Sequence, residues 1–166
     1  TLSFMNDLAS VLEKQSEYEK AESLFSDCLA GRETSLGAVH QDTLLSMRNL
    51  ANVYRLQKKY DKAEKLYDLY LPKMKTILGP DHHCTFLSMH GLGALYFDKG
   101  ENTKAEVHFV DCLVKSEKVL GSDHPVTLNI VNTLAVFYLR QSDIAKARPL
   151  LLTTFSKRMT FLGSKH

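Results

Sequence analysis

The sequence predicts an all-α solenoid built from four helical hairpins, with about eight helices in all. A short phrase, Leu-Gly-x-x-His-x-x-Thr, recurs every 42 residues and begins at Leu36, Leu78 and Leu120. A fourth copy begins at Leu162 and is cut off at His166. A fixed period of roughly 20–50 residues is typical of repeat architectures, and two amphipathic helical patterns lie between successive phrases. We therefore expect a single array with repeats at approximately 1–42, 43–84, 85–126 and 127–166.

The first repeat shows the pattern of one hairpin. Its apolar residues between positions 2 and 12 fall on one face of a helix, and Gln15 and Ser16 interrupt the pattern. A second apolar stripe runs from Ala21 to Leu36. Gly37 is expected to end that second helix, because glycine often lies just past a helix C-terminus. One hairpin cannot bury both stripes, so neighbouring hairpins must stack to complete the core.

The later repeats show the same two stripes. They cover residues 44–54 and 63–77 in the second repeat, 86–96 and 105–119 in the third, and 128–138 and 147–161 in the fourth. Pro72 lies inside the second helix of its repeat and should bend it, because proline removes one backbone hydrogen bond. Pro149 lies near the start of the last helix, where proline is either tolerated or kinks the first turns; the pattern leaves both open.

Small residues recur where two helices must approach closely, and a larger side chain there would push the helices apart. In the first helices they are Ala9, Ala51, Gly93 and Ala135, and in the second helices Ala21, Ala63, Ala105 and Ala147.

Composition excludes several classes of protein. The net charge of +2 is too small to favour nucleic acid or an anionic membrane, and no apolar run approaches the roughly 20 residues of a membrane helix. Three cysteines without a Cys-x-x-Cys pair fit a reducing, cytoplasmic compartment, and Cys28 and Cys112 are expected to be packed side chains. Thr1 matches Thr43 of the next repeat, so we expect the chain to be a piece of a longer array.

Seven histidines raise the question of a metal site, and we expect none. One histidine falls in each linker, at His40, His82, His124 and His166, too far apart to share an ion. We expect these histidines to cap or orient the next helix. The adjacent His82 and His83 lack further ligands at metal spacing. No nucleophile motif or phosphate-binding loop is present, so neither an enzymatic activity nor a cofactor is predicted.

The strongest resemblance lies in the second repeat. Asn49-Leu50-Ala51-x-x-Tyr54, followed by Tyr60-x-Lys62-Ala63-Glu64-x-Leu66-Tyr67, resembles a tetratricopeptide repeat. Lys-Ala-Glu also occurs at 20–22 and 104–106, while the fourth repeat departs with Lys-Ala-Arg at 146–148. The 42-residue unit with its linker phrase is similar to the repeats of kinesin light chains and nephrocystin-3-like proteins. The resemblance implies a right-handed solenoid that acts as a protein–protein interaction module.

In each first helix a second stripe lies one residue after the core stripe, about 100° round the helix. The resemblance implies that this stripe and its neighbours line a concave groove that binds an extended peptide. Asn amides would hold the peptide backbone, Arg48, Arg55, His90 and Arg140 would add positive charge, and Leu87 and Phe97 would bury an apolar anchor. The predicted groove residues are Asn6, Ser10, Arg48, Asn49, Asn52, Arg55, Leu87, His90, Phe97, Asn129, Asn132 and Arg140.

Kinesin light chains bind peptides with an aromatic anchor flanked by acids, in grooves that carry paired Asn and basic residues. Arg48-Asn49 is similar to such a pair, whereas His90-Gly91 and Asn132-Thr133 depart from it. The resemblance therefore implies a cargo adaptor for an acidic peptide. Two alternatives stay open. The array could be a structural scaffold or spacer that associates end to end through its uncapped apolar ends, or it could serve an enzyme whose catalytic domain lies outside this segment.

Overall fold

Eight α-helices in four antiparallel hairpins make up the computed structural model of the chain. The structure describes residues 2–163, except for the side chains of residues 158 and 160–163. The helices are α1 (Leu2–Lys14), α2 (Tyr18–Leu36), α3 (Gln41–Leu56), α4 (Tyr60–Ile77), α5 (His83–Asp98), α6 (Asn102–Leu120), α7 (Pro125–Arg140) and α8 (Ile144–Gly163). No strand occurs between residues 2 and 163. The all-α solenoid predicted from the repeat period is confirmed.

The linker phrase ends one helix and caps the next. Gly37, Gly79 and Gly121 have positive φ angles of 91°, 96° and 88°. In the same linkers the histidine Nδ1 accepts a hydrogen bond, 3.2 Å long each time, from the backbone amide two residues later. The predicted capping role of His40, His82 and His124 is confirmed. Thr1 and His166 lie outside the described residues.

The two helices of each hairpin are joined by a turn that the sequence did not predict. Ser16, Lys58, Gly100 and Ser142 occupy the same repeat position and all have φ between 60° and 81°. The amide of the next residue donates a hydrogen bond back to the carbonyl five residues earlier, as from Lys59 to Tyr54 at 2.8 Å. This is the bond pattern of a Schellman motif, which satisfies the last carbonyls of a helix. A glycine occupies the left-handed position in only one of the four turns.

The small residues permit close helix packing, as predicted. All the predicted alanines are fully buried, and a Cβ on Gly93 would lie 2.9 Å from the ring of Phe109. Cys28 and Cys112 are fully buried, which confirms their packing role. Pro72 and Pro149 both lie inside continuous helices. The core extends along the array as three clusters that share partly buried neighbours such as Tyr54 and Tyr96.

Ion pairs tie each hairpin to the next through the glutamate of the Lys-Ala-Glu motif. A lysine of the following hairpin reaches that glutamate in every junction, with N–O distances of 2.7, 2.6 and 2.9 Å. The pairs are Lys59–Glu22, Lys99–Glu64 and Lys146–Glu106. No helix within residues 2–163 is long and apolar enough to cross a membrane.

Candidate functional site

The first helices of the hairpins lie against one another and form what we call the inner face. Cα atoms of α1 and α3, of α3 and α5, and of α5 and α7 come within 8 Å of each other. In the described part of the chain, α2, α4, α6 and α8 make no such contact among themselves. Because the first helices are closer together than the second helices, the array curves with the inner face on its narrower side.

A depression of about 430 Å³ opens on the inner face across the first three hairpins. Seven predicted groove residues line it, namely Ser10, Arg48, Asn49, Asn52, Arg55, Leu87 and His90. The other lining residues are Glu13, Lys14, Tyr67, Gly91 and Ala94. Asn6 lies next to this depression and contacts Asn49. Phe97, Asn129, Asn132 and Arg140 belong to the third and fourth hairpins and do not line it.

The asparagine amides predicted to hold a peptide are partly engaged within the chain. Asn49 Nδ2 donates to Asn6 Oδ1 at 3.0 Å, across the junction between the first two hairpins. Asn49 Oδ1 accepts from the guanidinium of Arg48 at 3.2 Å. The amide of Asn49 thus has one partner at each end. It can offer a ligand only its second N–H and its second lone pair.

Asn52 forms a similar bridge one helical turn further along α3. Its Nδ2 donates to Glu13 Oε1 at 2.5 Å, and its Oδ1 accepts from Arg55 Nη2 at 3.0 Å. Burial raises the pKa of the Glu13 carboxyl, although the hydrogen bond from Asn52 acts in the opposite direction. Asn52 therefore connects an acid of the first hairpin with a base of the second.

Of the two arginines in the depression, only Arg55 has a carboxylate partner. Arg55 Nη1 lies 2.5 Å from Asp98 Oδ2, and the two side chains are 18% and 30% exposed. This pair neutralises the charge of Arg55 and joins α3 to the end of α5. No carboxylate of the described chain lies within 4 Å of the Arg48 guanidinium. Arg48 is therefore an arginine of this depression whose charge is not neutralised by a carboxylate of the described chain.

His90 does not supply the positive charge predicted for it. Its burial, assisted by the nearby charge of Arg55, lowers the pKa of the imidazole to about 4, so the ring is neutral near pH 7. The ring packs on Phe109 with centroids 5.6 Å apart. Within the described chain, buried Nε2 of His90 has no hydrogen-bond partner. The prediction of charge at His90 was wrong, because the sequence does not show how deeply the ring is buried.

Tyr67 reaches the floor of the depression from α4, a contact that the inner-face stripe did not predict. It is 1% exposed, and its hydroxyl occupies the space that a side chain at Gly91 would need. The equivalent positions of Gly91 carry Asp7, Asn49 and Thr133. A glycine on the stripe opposite a tyrosine was the available signal for this contact.

The fourth hairpin gives the inner face a different character. Phe97 packs edge-on against Phe137 with ring centroids 5.2 Å apart, and the Arg140 guanidinium lies 5.7 Å above the Phe97 ring. Val136 and Leu139 are 39% and 44% exposed beside them. Phe97 thus lies in a partly open apolar region and not in the polar depression.

One group of possible metal ligands occurs among residues 2–163, at the beginning of α5. It consists of His82, His83 and Cys84. Cys84 directly follows the two histidines and supplies a further ligand that they were predicted to lack. That part of the prediction is wrong, and the expectation of no metal stays a prediction.

Comparisons with known proteins identify the repeat. The tetratricopeptide repeat family profile matches residues 1–76 and 85–155. No curated protein matched the chain. Among solved structures, the chain is similar to the nearly identical TPR-like repeats of a kinesin light chain candidate from Podosopora anserina, which was solved in two forms that differ by a point substitution. Both forms superpose with a TM-score of 0.78 at 23% sequence identity, and the match covers 99% of this chain and 78% of theirs. BtubC from P. vanneervenii gives a TM-score of 0.78 at 17% identity over 98% of this chain and 65% of its own.

Proposed function

Because the chain belongs to the tetratricopeptide repeat family, we propose that its inner face binds an extended, acidic segment of a partner protein. The array would then act as an adaptor of the kinesin light chain type. The observation that carries the proposal is Arg48, a cation in the inner-face depression with no carboxylate of the described chain within 4 Å. A guanidinium in a partly enclosed polar site favours a carboxylate ligand.

The residues around Arg48 define how such a segment would lie. Asn49 orients the guanidinium through its hydrogen bond, and Asn52 is fixed between Glu13 and Arg55. Leu87 and Ala94 contribute apolar surface to the same depression. The ligand carboxylate would pair with Arg48 and a neighbouring apolar side chain would lie against Leu87, while the asparagines contribute their remaining hydrogen-bonding positions.

We place this adaptor in the cytoplasm and propose no enzymatic role and no nucleic acid or membrane partner for it. Three free and buried thiols support a reducing compartment. A net charge of +2 gives little attraction for a polyanion.

The test uses the absence of tryptophan from the chain. A peptide with one Trp flanked by Asp and Glu is titrated with the protein while its own fluorescence is followed. A second peptide, with Asn and Gln in place of the acids, is its control. We expect saturable binding of the acidic peptide that weakens with salt, because exposed charge pairs are screened. We also expect Arg48→Gln to weaken this binding by about tenfold or more, because a hydrogen bond to a charged group contributes about 1.5–3 kcal/mol.

Lys65→Gln is the matched control, since it removes one positive charge from an exposed position of α4. It should leave the affinity within about twofold of the unchanged protein, because only charges close to the ligand contribute strongly. Equal binding of both peptides, or equal effects of Arg48→Gln and Lys65→Gln, would refute recognition of acidic segments by this face.

End-to-end association is the second candidate function, favoured by the outward face of α1. Phe4, Leu8 and Val11 are 69%, 41% and 50% exposed. Their counterparts 42 residues later, Ser46, Leu50 and Val53, are buried by the preceding hairpin. A second copy could cover this face in the same way. Sedimentation should then show mass rising with concentration in the unchanged protein and in the control Val114→Glu, but not in Leu8→Glu.

A further inference from the structure

Three donor side chains meet at the first residues of α5. The ligand atoms of His82, His83 and Cys84 all lie within 4.8 Å of one another. His83 Nε2 lies 3.3 Å from Cys84 Sγ. The two imidazole rings lie with centroids 4.4 Å apart. His83 is exposed and Cys84 is buried, so the group lies at the boundary between solvent and core.

The repeat explains only one of these three residues. The corresponding linker positions read His40-Gln41-Asp42 and His124-Pro125-Val126. His82 shares its capping hydrogen bond with His40 and His124. His83 and Cys84 have no counterpart in the other linkers, and the architecture does not require an imidazole beside a thiol at this point.

The spacing of the donors suits one small ion. Zinc bonds of about 2.3 Å to sulfur and about 2.0–2.1 Å to imidazole nitrogen place two ligands of one tetrahedral ion about 3.5 Å apart. The 3.3 Å between His83 Nε2 and Cys84 Sγ is close to that value. A thiolate with imidazoles is also a donor set that zinc prefers over magnesium or calcium.

We propose that His83 and Cys84, with His82 as a third ligand, form a Zn²⁺ site at the N-terminus of α5. Three protein ligands leave one tetrahedral position for water or for a group supplied by a partner, which is the arrangement of an open zinc site. The site is independent of the proposed peptide groove, and either can fail without the other.

His82 cannot cap α5 and bind zinc at the same time. A neutral imidazole has one nitrogen with a lone pair and one with a hydrogen. The lone pair on Nδ1 of His82 accepts the amide of Cys84, so Nε2 carries the hydrogen and cannot ligate in that tautomer. Binding of zinc by His82 therefore releases the cap. We expect His83 and Cys84 to bind first and most strongly, and His82 to contribute less.

Cobalt provides the test, because Co²⁺ occupies zinc sites and its bond to a thiolate gives a charge-transfer band in the near ultraviolet. The whole chain is titrated with Co²⁺ under a non-thiol reductant, and then with Zn²⁺. We expect one Co²⁺ per chain, a thiolate band, and loss of that band when Zn²⁺ displaces the cobalt. The absence of tryptophan keeps this spectral region clear.

Three variants separate the ligands. Cys84→Ser should abolish the band, and His83→Gln should weaken cobalt binding by at least about tenfold. His82→Asn removes the third imidazole but keeps a side chain that caps helices well, so it should weaken binding less than His83→Gln. His40→Asn and Cys112→Ser make the same chemical changes away from the group, and both should leave the titration unchanged.

The competing explanation is an S–H···N hydrogen bond between Cys84 and His83 with no metal function. In that case Co²⁺ gives no thiolate band, or binds only weakly through histidines with an imidazole spectrum. Either result overturns the proposal, as does a band that survives Cys84→Ser. A band that Cys112→Ser abolishes would place the ion at Cys112 and would likewise overturn the proposal.

Discussion

The inner face changes character along the array even though its backbone repeats. At one repeat position the residues are Ser10, Asn52, Ala94 and Val136, and three positions later they are Glu13, Arg55, Phe97 and Leu139. At these two positions the first two hairpins present polar and charged side chains, and the last two present apolar and aromatic ones. We call these the polar half and the apolar half of the inner face.

The junctions between hairpins follow the same division. A hydrogen bond from Asn52 to Glu13 joins the first helices of hairpins one and two, and the Arg55–Asp98 pair joins those of two and three. Between hairpins three and four the contact is Phe97 on Phe137. On the inner face the first helices are thus joined by polar bonds in one half and by aromatic packing in the other. Salt should therefore affect the inner-face contacts of the polar half more.

Truncation of Phe137 should have the largest effect on stability. The ring is 2% exposed and packs edge-on against Phe97, Phe109 and Tyr138. Phe137→Ala should lower the free energy of unfolding by about 3–5 kcal/mol, because it removes a buried aromatic ring and leaves a cavity. Urea unfolding followed by circular dichroism measures the change.

The matched variant is Val53→Ala, at the equivalent position of the polar half, where the side chain is also fully buried. It should cost about 2 kcal/mol, in proportion to the smaller apolar group removed. A loss at Phe137 no larger than the loss at Val53 would mean that the ring contributes less than its burial indicates, and the distinction between the halves would then apply only to their surfaces.

Local and periodic features of this fold could be predicted from the sequence. The 42-residue period, the capping histidines and the glycines after α2 and α6 each depend on a few neighbouring residues. The left-handed turns at Ser16 and Lys58 could not be predicted in this way, because neither residue type favours a positive φ.

The placement of these residues on the inner face was predictable, and their electrostatics were not. Seven of the predicted groove residues line one depression because helical spacing alone places them on one face. The pairing of Arg55 with Asp98 joins residues 43 positions apart, and the neutrality of His90 depends on how deeply the ring is buried. Both depend on tertiary contacts that a single sequence does not show.

His90, on α5 in the third hairpin, provides the intermediate effect, as an acid sensitivity of the inner-face depression. Its pKa is about 4 in the folded chain against an ordinary value of 6.5, mainly because of burial. Between these values the unfolded chain binds a proton that the folded chain does not, so stability is fully present above pH 6.5 and is lost as the pH falls toward 4. The loss should be about 2–3 kcal/mol, since one pKa unit corresponds to about 1.4 kcal/mol.

Urea unfolding at a series of pH values tests this dependence. His90→Asn, which introduces the residue found at the equivalent positions 6 and 132, should flatten the slope between pH 6.5 and 4. A smaller slope should remain, because burial also lowers the pKa of His108. His40→Asn makes the same substitution at an exposed histidine and is the control for the change of residue type. An unaltered slope in His90→Asn would mean that the ring gains access to water in solution.

The smallest effect on stability is expected at Asp98, the carboxylate that neutralises Arg55. Asp98→Asn should cost at most about 1 kcal/mol, because both side chains keep contact with solvent. The same change leaves Arg55 without its acid partner beside Arg48, and should strengthen binding of the acidic Trp peptide by about two- to fivefold at low salt. Asp111→Asn, which breaks the Lys115–Asp111 pair on α6, is the control and should not change the affinity. If Asp98→Asn instead weakens binding of the acidic Trp peptide, Asp98 is needed to position Arg55. The polar half then binds through a preassembled network of side chains and not through its net charge.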